Sequence, residues 1–126
     1  MDATKPKILV IDDDPSMLHL LKLQLSNAGY DVLMAEDAVV AGHLLLDAAP
    51  DLMIVDVKMP YMDGYEFVAA VKADSSTRDI PVIFLTIKED VADRAAELGA
   101  AAYLTKPVLA DRLLEVVALF AGNSPN

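Results

Sequence analysis

Cysteine is absent from the chain. That excludes a disulfide framework and a thiolate metal site. Basic residues are scarce: 10 Lys and Arg stand against 20 Asp and Glu, for a formal net charge of −10. A chain this acidic repels a phosphate backbone, so direct nucleic-acid binding by this domain is not expected. Its charge suits a cation or a basic partner instead. Long apolar runs are missing too. The purely apolar stretches extend only a few residues, far short of a membrane span. The first residues, "MDATKPK", lack the apolar core of a signal peptide. No internal repeat, low-complexity tract or interdomain linker breaks the sequence. No membrane partner is expected, and a cytoplasmic location is the default.

What is present is a hydrophobic fraction of 55% in 126 residues. That is too apolar for a disordered chain and long enough for one domain with a real core. Short apolar runs alternate with amphipathic stretches. "KILVI" (7–11), "YDVLMA" (30–35), "DLMIVD" (51–56), "PVIFLT" (81–86) and "AYLTK" (102–106) read as strands. Helices are expected over 15–29, 38–49, roughly 64–73, 88–100 and 109–121. Pro15 suits the first turn of the first helix and Gly29 its stop, while Pro50 ends the second. Continuous apolar strands alternating with helices predict an α/β fold, a doubly wound parallel sheet with helices on both faces. Residues 1–6 and 122–126 are expected to be tails around a domain spanning 7–121.

In such sheets, function gathers at the carboxyl ends of the strands. The first strand runs into Asp12 and Asp13, the third ends in Asp56, the fourth in Thr86 and the fifth in Lys106. Three carboxylates in one cleft repel one another, and the repulsion raises their pKa values. A hard divalent ion such as Mg²⁺ relieves it and favours oxygen ligands. One carboxylate is then free to attack phosphorus. Phosphoryl transfer needs its oxygens neutralised and positioned, and an ion, a lysine and a hydroxyl suffice for that. Taken singly, each residue has a plain structural reading: a helix cap, a loop carboxylate, a β-former, a solvated lysine. Their joint occurrence at strand ends favours a site. Asp14, directly before Pro15, reads separately, as the N-cap of the first helix.

The motifs "ILVIDDDP", "DLMIVDVKMPYMDG", "PVIFLT" and "GAAAYLTKP" resemble the receiver domain of two-component response regulators, over essentially the whole chain. The resemblance implies a five-stranded sheet of order 2-1-3-4-5 with five helices. It implies that Asp56 is the phospho-acceptor and that Asp13 ligates Mg²⁺ (or Mn²⁺) directly, with Asp12 acting through water. The backbone carbonyl of Lys58 would complete the protein ligands. Thr86 and Lys106 would contact the phosphoryl group, and Tyr103 would be the aromatic switch. Lys106–Pro107 matches a position where a cis peptide is usual. The implied donor is a histidine kinase or a histidine phosphotransfer protein. The implied output is a downstream protein docking on 88–121.

The sequence also departs from the family pattern. Ile87 stands where a small residue is usual, which predicts slow phosphorylation by small donors and a persistent phosphoryl group. Lys58 and Lys88 occupy positions that tune lifetime. Three other readings compete. A phosphorylation-independent pseudo-receiver is opposed by the complete set of acidic residues, Thr86 and Lys106. A Mg²⁺-dependent phosphohydrolase typically has an aspartate where Lys58 stands. A flavodoxin-like cofactor binder needs a phosphate loop after the first strand, and "DDDP" would repel the phosphate. His19 and His43 read as surface residues, and Met59 and Met62 as packing.

Overall fold

The computed structural model describes residues 5–87 and 91–121. Strand β1 is Lys7–Ile11, β2 Asp31–Ala35, β3 Leu52–Asp56, β4 Val82–Thr86 and β5 Ala102–Thr105. Helix α1 is Pro15–Asn27, α2 Ala38–Ala48, α3 Gly64–Ala73, α4 Ala92–Glu97 and α5 Ala110–Ala121. The strands form one parallel sheet in the order β2-β1-β3-β4-β5. The expected α/β architecture and strand order are therefore what the chain adopts.

The apolar strands divide their side chains by parity, because successive residues point to opposite faces. Ile8, Val10, Ile54, Ile83, Leu85 and Leu104 face one way and pack with Leu18, Leu21 and Leu25 of α1 and Leu113, Val116 and Val117 of α5. Leu9, Ile11, Met53, Val55, Val82 and Phe84 face the other way, onto α2, α3 and Ala95 of α4. Each central strand is buried on both faces, which is why it reads as an unbroken apolar run.

Local signals set the helix starts. The Asp14 carboxylate accepts from the Ser16 amide, capping α1 ahead of Pro15. Asp63 and Glu66 form a reciprocal capping box at α3. Gly29 has φ 97°, a left-handed conformation that turns the chain from α1 toward β2.

Element ends shift by a residue or two from expectation. The Tyr30 amide donates to the Leu25 carbonyl, so Tyr30 closes α1 and β2 begins at Asp31. The largest difference is α4. The charged stretch predicts a helix over 88–100, of which 88–90 lie outside the described residues. The described part is helical only over Ala92–Glu97. Val91 provides no side-chain cap at its start, and Gly99 at φ 75° ends it. Met59 and Met62 pack against the core cluster of α2 and α3, and His19 and His43 lie on the surface. Among the described residues, no helix is long and apolar enough to cross a membrane.

Candidate functional site

The parallel register aligns the strand ends. Ile11 pairs with Val55, and Asp56 with Leu85, so Asp12 and Asp56 emerge side by side at one sheet edge. Backbone bonds extend the ladder just past the strands. The Asp12 amide donates to the Ala35 carbonyl at 3.1 Å, that of Val57 to Leu85 at 3.0 Å, and that of Lys106 to Thr86 at 2.7 Å. The candidate site residues at the strand ends are thus held by sheet hydrogen bonds rather than by free loops.

Carboxylate oxygens of Asp12, Asp13 and Asp56 all lie within 4.8 Å of one another. Asp12 and Asp56 are buried, whereas Asp13 is exposed. The Lys106 ammonium enters from the far edge of the sheet and donates to Asp12 Oδ2 at 3.0 Å. It also lies 3.4 Å from Asp56 Oδ1. The other Asp12 oxygen accepts the Asp14 amide at 3.0 Å. One buried carboxylate therefore orients the lysine and anchors the start of α1 at once.

The charges do not balance. Asp56 is pushed up from an ordinary 3.8 to about 6. Burial is the largest cause and the neighbouring Asp12 charge the next, while Lys106 opposes both. Burial pulls the Lys106 ammonium down, but its hydrogen bond to Asp12 and the two carboxylate charges outweigh that, so it titrates above the usual lysine value. One lysine against three carboxylates leaves the ionised group with excess negative charge. The donors are all oxygen, close together and open on one side, through Asp13. That set fits a hard divalent cation of the Mg²⁺ kind.

Asp13, Asp56, Lys58, Thr86, Ile87 and Lys106 line one open cleft of about 680 Å³. Thr86 is buried at the end of β4, and Ile87 is 66% exposed at the rim. Tyr103 is not brought to this cleft. It is exposed on β5 and lines a separate hollow with Pro107, Leu109 and Arg112. The Lys106–Pro107 peptide is cis. Lys88 lies outside the described residues.

Three participants escaped the sequence reading. Gly64, the first residue of α3, donates its amide to the Val57 carbonyl at 2.8 Å. A Cβ there would run into the Asp56 carbonyl oxygen and stand 3.0 Å from the Val57 Cα. The glycine after the Asp63 cap was the available signal, since close backbone approach selects glycine. Tyr65 and Arg94 also line the cleft. The Arg94 guanidinium lies 5.6 Å over the Tyr65 ring, which meets Phe84 edge-on at 5.3 Å between centroids. No spacing in the sequence connects residues on α3 and α4 in this way.

Fold and site together define a class: a doubly wound α/β domain with an acidic, lysine-bearing cleft at the carboxyl ends of its strands. Comparison with known proteins gives the family. Residues 8–118 match the response regulator receiver domain, and the chain belongs to that family. It is 38% identical over 111 residues to a Synechocystis protein named as the DNA-binding dual master transcriptional regulator RpaA, covering 86% of this chain and 46% of that one. It is 38% identical over 123 residues to the response regulator MprA of Mycobacterium sp. strain KMS, covering 95% of this chain and 53% of that one. The chain thus spans about half the length of the curated relatives it matches. Among solved structures it resembles the chemotaxis response regulator CheY4 of Vibrio cholerae, with a TM-score of 0.87 and 33% identity, covering 93% of this chain and 99% of that one. It also resembles the receiver domain of a histidine kinase from Syntrophus aciditrophicus, with a TM-score of 0.82 and 36% identity, covering 96% and 94%.

Proposed function

We propose that this domain is a phospho-acceptor switch in which Asp56 takes a phosphoryl group from a histidine kinase or a histidine phosphotransfer protein. The observation that carries this reading is the uncompensated carboxylate group with Lys106 held inside it. A bound Mg²⁺ would supply charge neutralisation and orientation of phosphoryl oxygens, with Asp13, Asp56 and the Lys58 carbonyl as its protein ligands and Asp12 acting through water.

Each residue then has a task. An Asp56 carboxylate oxygen attacks phosphorus in line. The P–N bond to the donor imidazole breaks, and its electron pair stays on the ring nitrogen. The Lys106 ammonium and the Thr86 hydroxyl take phosphoryl oxygens. Asp12 keeps Lys106 aimed while Asp56 changes from anion to acyl phosphate. Lys106 loses one anionic partner on phosphorylation and gains a dianion, so the balance around Thr86 shifts. That shift biases a two-state surface that includes Tyr103, α4, β5 and α5, where a downstream protein docks. The domain catalyses its own phosphorylation but turns over no separate substrate. It works in the cytoplasm, beside its kinase. With a net charge of −10, it is not the part of a regulator that contacts DNA.

Amide-resolved NMR on the Mg²⁺-loaded protein, before and after phosphorylation, tests the switch. Shifts are expected at Asp56 and Thr86 and also across Tyr103 and 91–121. Shifts confined to the cleft would contradict the proposed output.

A further inference from the structure

The cleft is wider than a phosphoryl group requires. Lys106, Asp13 and Asp56 line it where the strands stop, with Asp12 buried behind Lys106. Its lining also includes Tyr65 at the start of α3 and Arg94 in α4. The Tyr65 ring is braced edge-on against Phe84, which is fully buried in β4. Arg94 stacks over that ring at 5.6 Å, which fixes the guanidinium relative to the sheet despite its exposure. Among the described residues its carboxylate partner is Glu97, at 3.4 Å with both side chains more than half exposed, an ion pair that water screens strongly. Among the described residues, no buried contact has to break for the guanidinium to take a second anion.

We propose that Arg94 is a specificity-determining residue that forms a subsite for the leaving group of small acyl phosphate donors. The proposal rests on Asp56 being the phospho-acceptor. In the step, an Asp56 oxygen bonds to phosphorus and the bond from phosphorus to the acyl oxygen breaks. The electron pair leaves with the carboxylate, and no proton moves. Negative charge grows on a carboxylate-shaped group, which a planar guanidinium recognises in bidentate fashion. A donor whose leaving group is an amine develops no such anion. Arg94 therefore favours acyl phosphates over N-phosphoryl donors of similar size.

The test compares acetyl phosphate, which releases acetate, with phosphoramidate, which releases ammonia. Initial rates of Mg²⁺-dependent phosphorylation are measured for the wild type, Arg94→Gln and Arg94→Lys. Arg94→Gln should slow acetyl phosphate about fivefold, the size of a partly exposed charge contact. It should leave phosphoramidate within about twofold. Arg94→Lys should recover part of the acetyl phosphate rate, because charge returns without the planar fork. Equal losses with both donors would mean that Arg94 only braces Tyr65, and the proposal fails. Unchanged rates with both donors overturn it as well. If neither donor phosphorylates the wild type, the phospho-acceptor reading itself falls, and this inference with it.

Discussion

Replacing Asp56 by asparagine should stabilise the metal-free protein. The buried Asp56 carboxyl is pushed up to about 6, against 3.8 for an ordinary aspartate. Between those values the folded state keeps a proton that the unfolded chain has released. Folded stability therefore falls as pH rises from about 4 through about 6, and stays low above that. An asparagine has no charge to bury and escapes the loss. At about 1.36 kcal/mol per pH unit, the interval sets a ceiling of about 3 kcal/mol at pH 8. Lys106 retains Asp12 at 3.0 Å, so the substitution strands no buried cation. A gain of about 2 kcal/mol would raise the Tm by roughly 5–10 °C for a domain of this size. Denaturant melts of wild type and Asp56→Asn in EDTA, at pH 4, 6 and 8, measure it. The difference should be near zero at pH 4 and largest at pH 8. Added Mg²⁺ should stabilise the wild type more and close the gap. A variant no more stable than wild type at pH 8, or a gap that ignores pH, would refute the electrostatic reasoning.

Three further outcomes are expected. Asp13→Ala should weaken Mg²⁺ binding far more than Asp14→Ala, whose cost of about 1 kcal/mol falls on the α1 cap instead; titration calorimetry and melts separate the two. Ile87→Ala, by opening the rim, should speed both phosphorylation by acetyl phosphate and subsequent loss of the phosphoryl group, and equal rates would remove Ile87 from the lifetime question. Gly64→Ala should destabilise the fold by about 1–3 kcal/mol, because the new methyl meets the Asp56 backbone rather than a movable side chain. It should also slow phosphorylation by displacing Asp56, and a neutral substitution in melts would contradict the close approach.

Much of this was legible in the sequence for identifiable reasons. A strand buried on both faces must be apolar throughout, so "ILVI" and "MIV" mark strands, and the first polar residue after each marks its carboxyl end. That logic located Asp12, Asp13, Asp56 and Thr86, which register then brings together. Helix starts were legible where a side chain caps them, as at Asp14. The boundaries of α4 were not, because its charged pattern begins at Lys88, before Ala92, while Val91 offers no side-chain cap to mark the start. The partition between Asp12 and Asp13 depends on tertiary structure: one is fully buried against Lys106 and its neighbour is open to solvent. Arg94 reaches the cleft only because α4 packs beside α3, a relation that no local pattern encodes.

The most direct test is the mass of the protein after incubation with acetyl phosphate and Mg²⁺. A gain of about 80 Da, mapped to Asp56, absent in EDTA and absent from Asp56→Asn, is the expected result. An unmodified wild type, or a phosphoryl group on another residue, would contradict Asp56 as the acceptor.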